Sequence, residues 1–331
     1  MPARVFPLED AVARRHHVLG LTRDVNEDEL WALARARFRS ARWVDGAERV
    51  LRVSRHSALH GPYEPGPDVL REVGFPHGVC CLIRVECPRE RGEPPWPGTE
   101  DPAGLWRAFP DGLPVRDEER LVDWAVGVAR YVGGSVRIAD RAITLTPDPD
   151  SSIDVTVYSD AWLEPERGLE LARRLSSRAR LTTEGASWNG PPSGVGEHAF
   201  PGTEVIDDSL RGQLHAEADA FDTWALAMPD VLDGYGVELD LGMDGLICLE
   251  ATSDRELPLL VADEAWAKDG VIAYRVRWVP PEFEELYVEK PSMPHRVARG
   301  RAKEIVHRLG RAVHEAVGGI AANDDGFPVL L

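Results

Sequence analysis

Apolar positions recur along this chain with two periods, one suited to helices and one to strands. Leu121, Trp124, Val128 and Val132 are spaced by three and four residues and line one face of a helix that begins at the acidic turn Asp117-Glu118-Glu119. Val306, Leu309, Val313 and Val317 repeat that spacing and predict a second such helix over 296–317. Residues 26–41 predict a helix with Asn26 as its cap, acidic residues in its first turn and arginines later. Residues 165–176, whose first turn tolerates Pro165, and residues 209–228 predict two more. The apolar runs Val79–Cys87 and Val271–Val279 and the alternating run Ile153–Tyr158 predict strands, and Asp244-Gly245 between apolar runs predicts a hairpin.

These elements form a repeat. Gly78-Val79 opens a strand-like run that ends at Pro88, and Gly270-Val271 opens one that ends at Pro280. Each run leads through an acidic, proline-containing connection to one of the two long helices, which finish at Val132-Gly133-Gly134 and Val317-Gly318-Gly319. Glycine there suits the left-handed turn that ends a helix. Asp140 and Asp325 each lie eight residues beyond the last valine. The pattern predicts an α+β fold of two similar halves, each an antiparallel sheet packed with helices, ferredoxin-like or a variant of it, arising from an internal duplication. Residues 183–202, rich in Gly, Pro and Ser, mark the expected boundary. Residues 1–182 form the N-terminal half, with a helical N-terminal segment, and residues 203–331 the acidic C-terminal half.

The charge layout sharpens that division. The 331 residues carry a formal net charge of −18. Residues 1–180 hold 26 arginines against 29 acidic residues, residues 181–270 hold three basic against 19 acidic, and residues 271–331 hold nine against eight, giving −3, −16 and +1. An acidic surface repels phosphate backbones, so nucleic acid is not an expected partner. No run approaches the roughly 18 apolar residues of a membrane span, and MPARVFPLED lacks the apolar core of a leader, so the expected location is the cytoplasm and no membrane contact is expected. Of the basic residues only three are lysines, which reads as codon bias because the 35 arginines are scattered.

Candidate chemistry is sparse, and no cofactor is expected. No G-x4-G-K-[S/T] or S-x-x-K occurs; Ser193 and the pair Gly194 and Gly196 sit in a Pro/Gly loop without a preceding strand. Cys80 and Cys81 are neighbours on a predicted strand and point to opposite faces; His77, Cys80 and Cys87 are the best zinc combination, against which stands a set of buried thiols. His215 and Asp219 share a helix face with Arg211, which pairs with carboxylates and opposes a cation, so they are the metal candidates and no metal is the expectation. His16, His17, His307 and His314 read as surface residues, and His56 and His60 lie in a loop-like place where a site can sit.

Asp160 and Glu164 flank Trp162 after the strand at 153–158 and are the catalytic candidates, an aromatic between two carboxylates being suited to acid and base work on a sugar; Glu164 is equally a helix-start residue. Trp96 and Trp188, in Pro/Gly loops, together with Glu217, Asp219 and Asp222, are the candidate partner-binding residues. The expected function is that of a cytosolic, non-enzymatic binding protein whose acidic second half engages a basic protein partner. The alternative is a small-molecule-binding or hydrolytic enzyme with its site in the cleft between the halves. An oligomeric scaffold is a third reading.

Overall fold

A computed structural model describes residues 6, 15–46, 48–141, 143–182, 209, 212–217, 234–254 and 256–331. The fold is α+β, with two antiparallel sheets of seven and six strands. In chain order the first sheet and its helices are β1 (His17–Leu21), α1 (Glu27–Arg35), β2 (Arg42–Val44), β3 (Val50–Arg52), β4 (Ala58–Tyr63), α2 (Pro67–Val73), β5 (Cys81–Glu86), α3 (Arg116–Val132), β6 (Gly134–Arg137) and β7 (Thr144–Leu145). The second set is β8 (Val155–Ser159), α4 (Pro165–Arg173), β9 (Arg180–Thr182), β10 (Gly234–Asp240), β11 (Leu246–Asp254), β12 (Val271–Val279), α5 (Met293–Val317) and β13 (Ile320–Asn323).

Local chemistry explains where the helices start and stop. Asn26 caps α1 by accepting the Glu29 amide at 2.9 Å, and Ser292 caps α5 by accepting that of His295. Glu27, Asp28 and Glu29 open α1, Asp117, Glu118 and Glu119 open α3, and each helix closes on an arginine. α3 and α5 end on Gly133 and Gly318, with φ of 85° and 70°. The expected stripes on both helices are buried, with Trp124 at 1% exposure and its indole N–H donating to the Leu33 carbonyl at 3.0 Å.

α1 and α3 cover one face of the first sheet, and α4 and α5 one face of the second. The opposite faces are partly covered by the connection before the fifth strand of each set. Val69, Val73 and Val79 pack on Val18, Tyr63 and Leu82 in the first, and Val261 and Ala267 pack beside Val271, Tyr158 and Ile320 in the second. Strand order runs β2-β3-β4-β5-β1-β6-β7 in one sheet and β9-β10-β11-β12-β8-β13 in the other, so six strands of each appear in the same succession. A plain ferredoxin-like unit is β-α-β-β-α-β; here a four-strand meander stands between the two helices, and the first sheet carries the extra edge strand β7.

The position of the boundary differs from expectation. β8, α4 and β9 precede residue 183, yet β8 pairs with β12 and β13 and β9 pairs with β10, so the sheets change over between Leu145 and Val155. Hydrogen bonding across the sheet decides membership, whereas the Gly/Pro/Ser composition of 183–202, outside the described residues, marks only a connection.

The halves are fastened by the hairpin after β13. Asn323 accepts the Phe327 amide at 2.9 Å and Gly326 takes φ 78°, a turn that drives Phe327 into the core of the first half at 0% exposure. Its ring stacks on Tyr131 at 5.3 Å, and the Tyr131 hydroxyl donates to the Pro328 carbonyl at 2.7 Å. Arg107 and Glu289 form a two-bond ion pair between the halves, and Arg35 meets Asp263 at 2.7 Å. Phe327→Ala is expected to lower stability by about 3–5 kcal/mol through the cavity left in the first core, read as a lower urea midpoint with unchanged slope.

Candidate functional site

Many of the ionisable groups among the described residues pair with one another. Glu118, in the first turn of α3, is fully buried and receives Arg89 at 3.1 Å, Arg91 and the Glu90 amide at 2.9 Å. His17 lies beside it, also fully buried, and corrects the surface reading of the His16-His17 pair. Its Nδ1 accepts the Ala139 amide at 3.2 Å, and its Nε2 stands 3.0 Å from Glu118 Oε1 and 2.7 Å from the Arg89 guanidinium. Burial first, then Arg89 and Arg91, push the His17 pKa down to about 3, so the ring is neutral and the ion pairs of Glu118 are those with Arg89 and Arg91. This cluster ties the start of β1 to α3 and to the 89–91 connection; with its carboxylate and imidazole sealed from solvent, it is a brace. The sequence signal for it was faint, because its members lie up to 101 residues apart.

His60 is not in a loop but on β4, 7% exposed, on the face of the first sheet away from α1 and α3. Its Nδ1 receives Arg84 at 2.8 Å, and its Nε2 donates to Glu86 at 2.6 Å. Glu48 accepts the Tyr63 hydroxyl alongside. His56 is exposed and does not join it. His307 and His314 are half-buried rather than solvent-facing, and His314 reaches the Gly319 carbonyl at 3.1 Å.

The remaining sequence candidates are scattered. Asp160 is exposed at the turn after β8; Glu164 is exposed at the start of α4, where its carbonyl accepts the Arg167 and Gly168 amides. Trp162 between them turns inward onto Tyr235, ring centroids 5.5 Å apart, and the Tyr274 hydroxyl holds the same loop by donating to the Ala161 carbonyl and accepting the Leu163 amide. Trp96 is 81% exposed. His215 and Glu217 are exposed on the helical residues 212–217, as is Leu214. Trp188, Asp219 and Asp222 lie outside the described residues. Cys80 and Cys87 flank the two ends of β5, too far apart to share an ion, and among the described residues no group of three or more His, Cys, Asp and Glu is placed to hold a metal.

The most open chemistry lies on the face of the second sheet away from α4 and α5. Strand register aligns Arg180, Glu238, Cys248 and Arg277 in one row across β9, β10, β11 and β12. The next row is Thr182, Gly236, Glu250, Arg275 and, on β8, Thr156. Opposite charges pair along and between rows: Arg180 donates twice to Glu238, at 2.9 and 2.6 Å, Arg277 stands 3.7 Å from Glu250, and Arg275 reaches Asp254 and Thr252. Gly236 lets Thr182 approach closely, because a Cβ there would stand 2.9 Å from Thr182 Oγ1. Glu238, Cys248, Glu250 and Thr252 complete a cavity of about 270 Å³. Burial, Glu238 and Glu250 raise the Cys248 pKa, which keeps a protonated thiol rather than a nucleophile on its floor. Thr182 and Gly234, where the chain leaves and rejoins the sheet around residues 183–233, both belong to this rim.

Neither the known protein families, nor the curated proteins, nor the solved structures contain a match to this chain.

One titrating group lies on the same sheet at the joint between the halves. Asp154 accepts the Trp278 amide at 2.8 Å, and burial, then Asp324, push its pKa up to about 7. A carboxyl raised in the fold stabilises it below the unfolded value near 3.9 and loses that contribution as pH rises through about 7. His17, depressed to about 3, acts in the opposite sense, losing stability as pH falls below about 6.5. Comparison with Asp154→Asn separates the two. The stability of wild type relative to this variant is expected to fall between about pH 5 and pH 8, measured by urea unfolding across that range.

Proposed function

We propose that this is a non-enzymatic binding protein of the cytosol whose acidic second half engages a basic protein partner. The observation that carries the proposal is the place and content of residues 183–233. In the first sheet the chain passes from β2 to β3 through residues 45–49; the corresponding passage in strand order, from β9 to β10, takes residues 183–233, with ten acidic residues and one arginine. That stretch alone carries −9 of the net −18. The remaining residues share the other −9 over more than five times the length, and a charge so dense in one stretch favours a cationic surface and speeds its approach. Glu217, Asp219, Asp222 and Trp188 fall in this stretch, and Trp96 supplies a second exposed aromatic.

We also infer that the halves are copies of one sheet-and-helix unit, a widened variant of the ferredoxin-like arrangement. Matching strand succession, Gly78 and Gly270 at φ 98° and 114° before β5 and β12, and glycine stops on α3 and α5 support this. On that reading the acidic stretch is the second copy's own addition, and hence the part that distinguishes its role. The enclosure of Glu118 and His17, the chemistry-bearing pair with the deepest burial, supports a binding rather than a hydrolytic role. The cleft between the halves, the alternative site, has Arg37 and Tyr158 as the ionisable residues of its lining. That suits ligand binding better than nucleophilic or acid–base catalysis.

The test is affinity capture on the immobilised chain from its native cytosol at about 50 and about 500 mM salt, which shortens the screening length about threefold. The expected result is a basic protein held at low salt and released at high salt, which the purified chain then binds directly. Glu217→Gln, Asp219→Asn and Asp222→Asn together are expected to weaken that binding about tenfold or more, and Trp96→Ala or Trp188→Ala to weaken it again. Equal binding by the neutralised variant, or capture insensitive to salt, overturns the proposal.

A further inference from the structure

We propose that the cleft between the two halves binds a small apolar carboxylate, of the size and character of an aryl acetate, with Arg37 as the partner of the carboxylate group. The cleft encloses about 250 Å³. Its walls are apolar and come from both halves: Ala36 beyond the end of α1, Leu259 and Leu260 of the β11–β12 connection, Ala322 of β13 and the ring of Tyr158 on β8. An apolar body of matching size gains by leaving water for these walls.

Arg37 decides the polar end of the ligand. One guanidinium N–H donates to the main-chain carbonyl of Asp325 at 3.0 Å, which fixes the side chain across the joint. Of the carboxylates nearby, Asp263 is turned to Arg35 at 2.7 Å and the Asp325 side chain to Arg130 at 3.4 Å, while Asp123 and Asp325 both feel the Arg37 charge at longer range. Arg37 thus stands at the cleft as a cation held by a carbonyl, with a planar fork that suits two-bond recognition of a carboxylate. A cationic ligand meets repulsion there, and a neutral one of the same shape forgoes the charged hydrogen bonds.

Two features set this site apart from the partner surface proposed above. It lies against β13, at one edge of the second sheet, whereas the acidic stretch joins β9, the opposite edge. Its lining also spans the joint closed by Phe327, so a bound ligand stabilises the pairing of the halves and raises the unfolding temperature as its concentration rises.

The experiment titrates the full chain with phenylacetate, with phenylacetamide as neutral analogue and phenethylamine as cationic analogue, by calorimetry and thermal unfolding. The expected result is saturable phenylacetate binding with a rise in unfolding temperature, at least about tenfold weaker binding of the amide, and none of the amine. Arg37→Gln, an exposed position, is expected to bring the acid down to the level of the amide, and Leu260→Trp to fill the cleft and abolish binding of both. Both variants are checked by their ligand-free unfolding transitions; should the tryptophan variant not fold, Arg37→Gln alone decides. No phenylacetate binding up to about 10 mM, equal affinity for acid and amide, or unchanged binding by Arg37→Gln overturns the proposal.

Discussion

The burial of Phe327 is the contact on which the arrangement of the two halves depends. A sheet with helices on one face can fold around its own core, and each half has one; what turns two such units into one body is an aromatic side chain from the second placed in the core of the first. The hairpin that carries it is pinned by Asn323, by Tyr131 and by the Arg37 bond to the Asp325 carbonyl. Burial of that ring requires the β13 edge of the second sheet to face α1 and α3. The cleft lined by Ala36, Leu260 and Ala322 is the space left where these surfaces meet.

Charge is distributed with the same economy. Within the described residues many acidic and basic side chains pair with one another, from the Glu118 cluster to the ladder on β9–β12. Such pairs on a sheet surface contribute little stability individually, yet they align strands. Half of the net charge, −9 of −18, lies in the sequence between β9 and β10, two strands at one edge of the second sheet that pair across Thr182 and Gly236. An edge tolerates such an addition; a central connection packed under α4 and α5 does not.

How much was legible in advance follows from the range of each interaction. The faces of α3 and α5, the caps Asn26 and Ser292, the glycine stops and the turn at Gly245 rest on neighbours within a few residues, so spacing and residue type predicted them or agree with them. The candidate site was less legible. Asp160 and Glu164 read as a pair around Trp162, but that ring turns inward onto Tyr235, more than seventy residues later in the chain. His17 read as surface because its neighbours His16, Arg14 and Arg15 are polar; its partner Glu118 belongs to another element. Arg37 and the residues of the cleft carried no motif.

The amino-acid sequence by itself determined α1, α3, α4 and α5, the strands β5, β8, β10, β11 and β12, the repeated strand-connection-helix-glycine pattern, the α+β class and the uneven charge, all of which depend on local periodicity or on counting. Tertiary structure alone decided that β8 and β9 join the second sheet, that Phe327 crosses between cores, and that Arg37 stands beside an apolar cleft. The reason is physical: strand pairing and core packing choose partners by shape and hydrogen bonding across distances in the chain that no local pattern encodes.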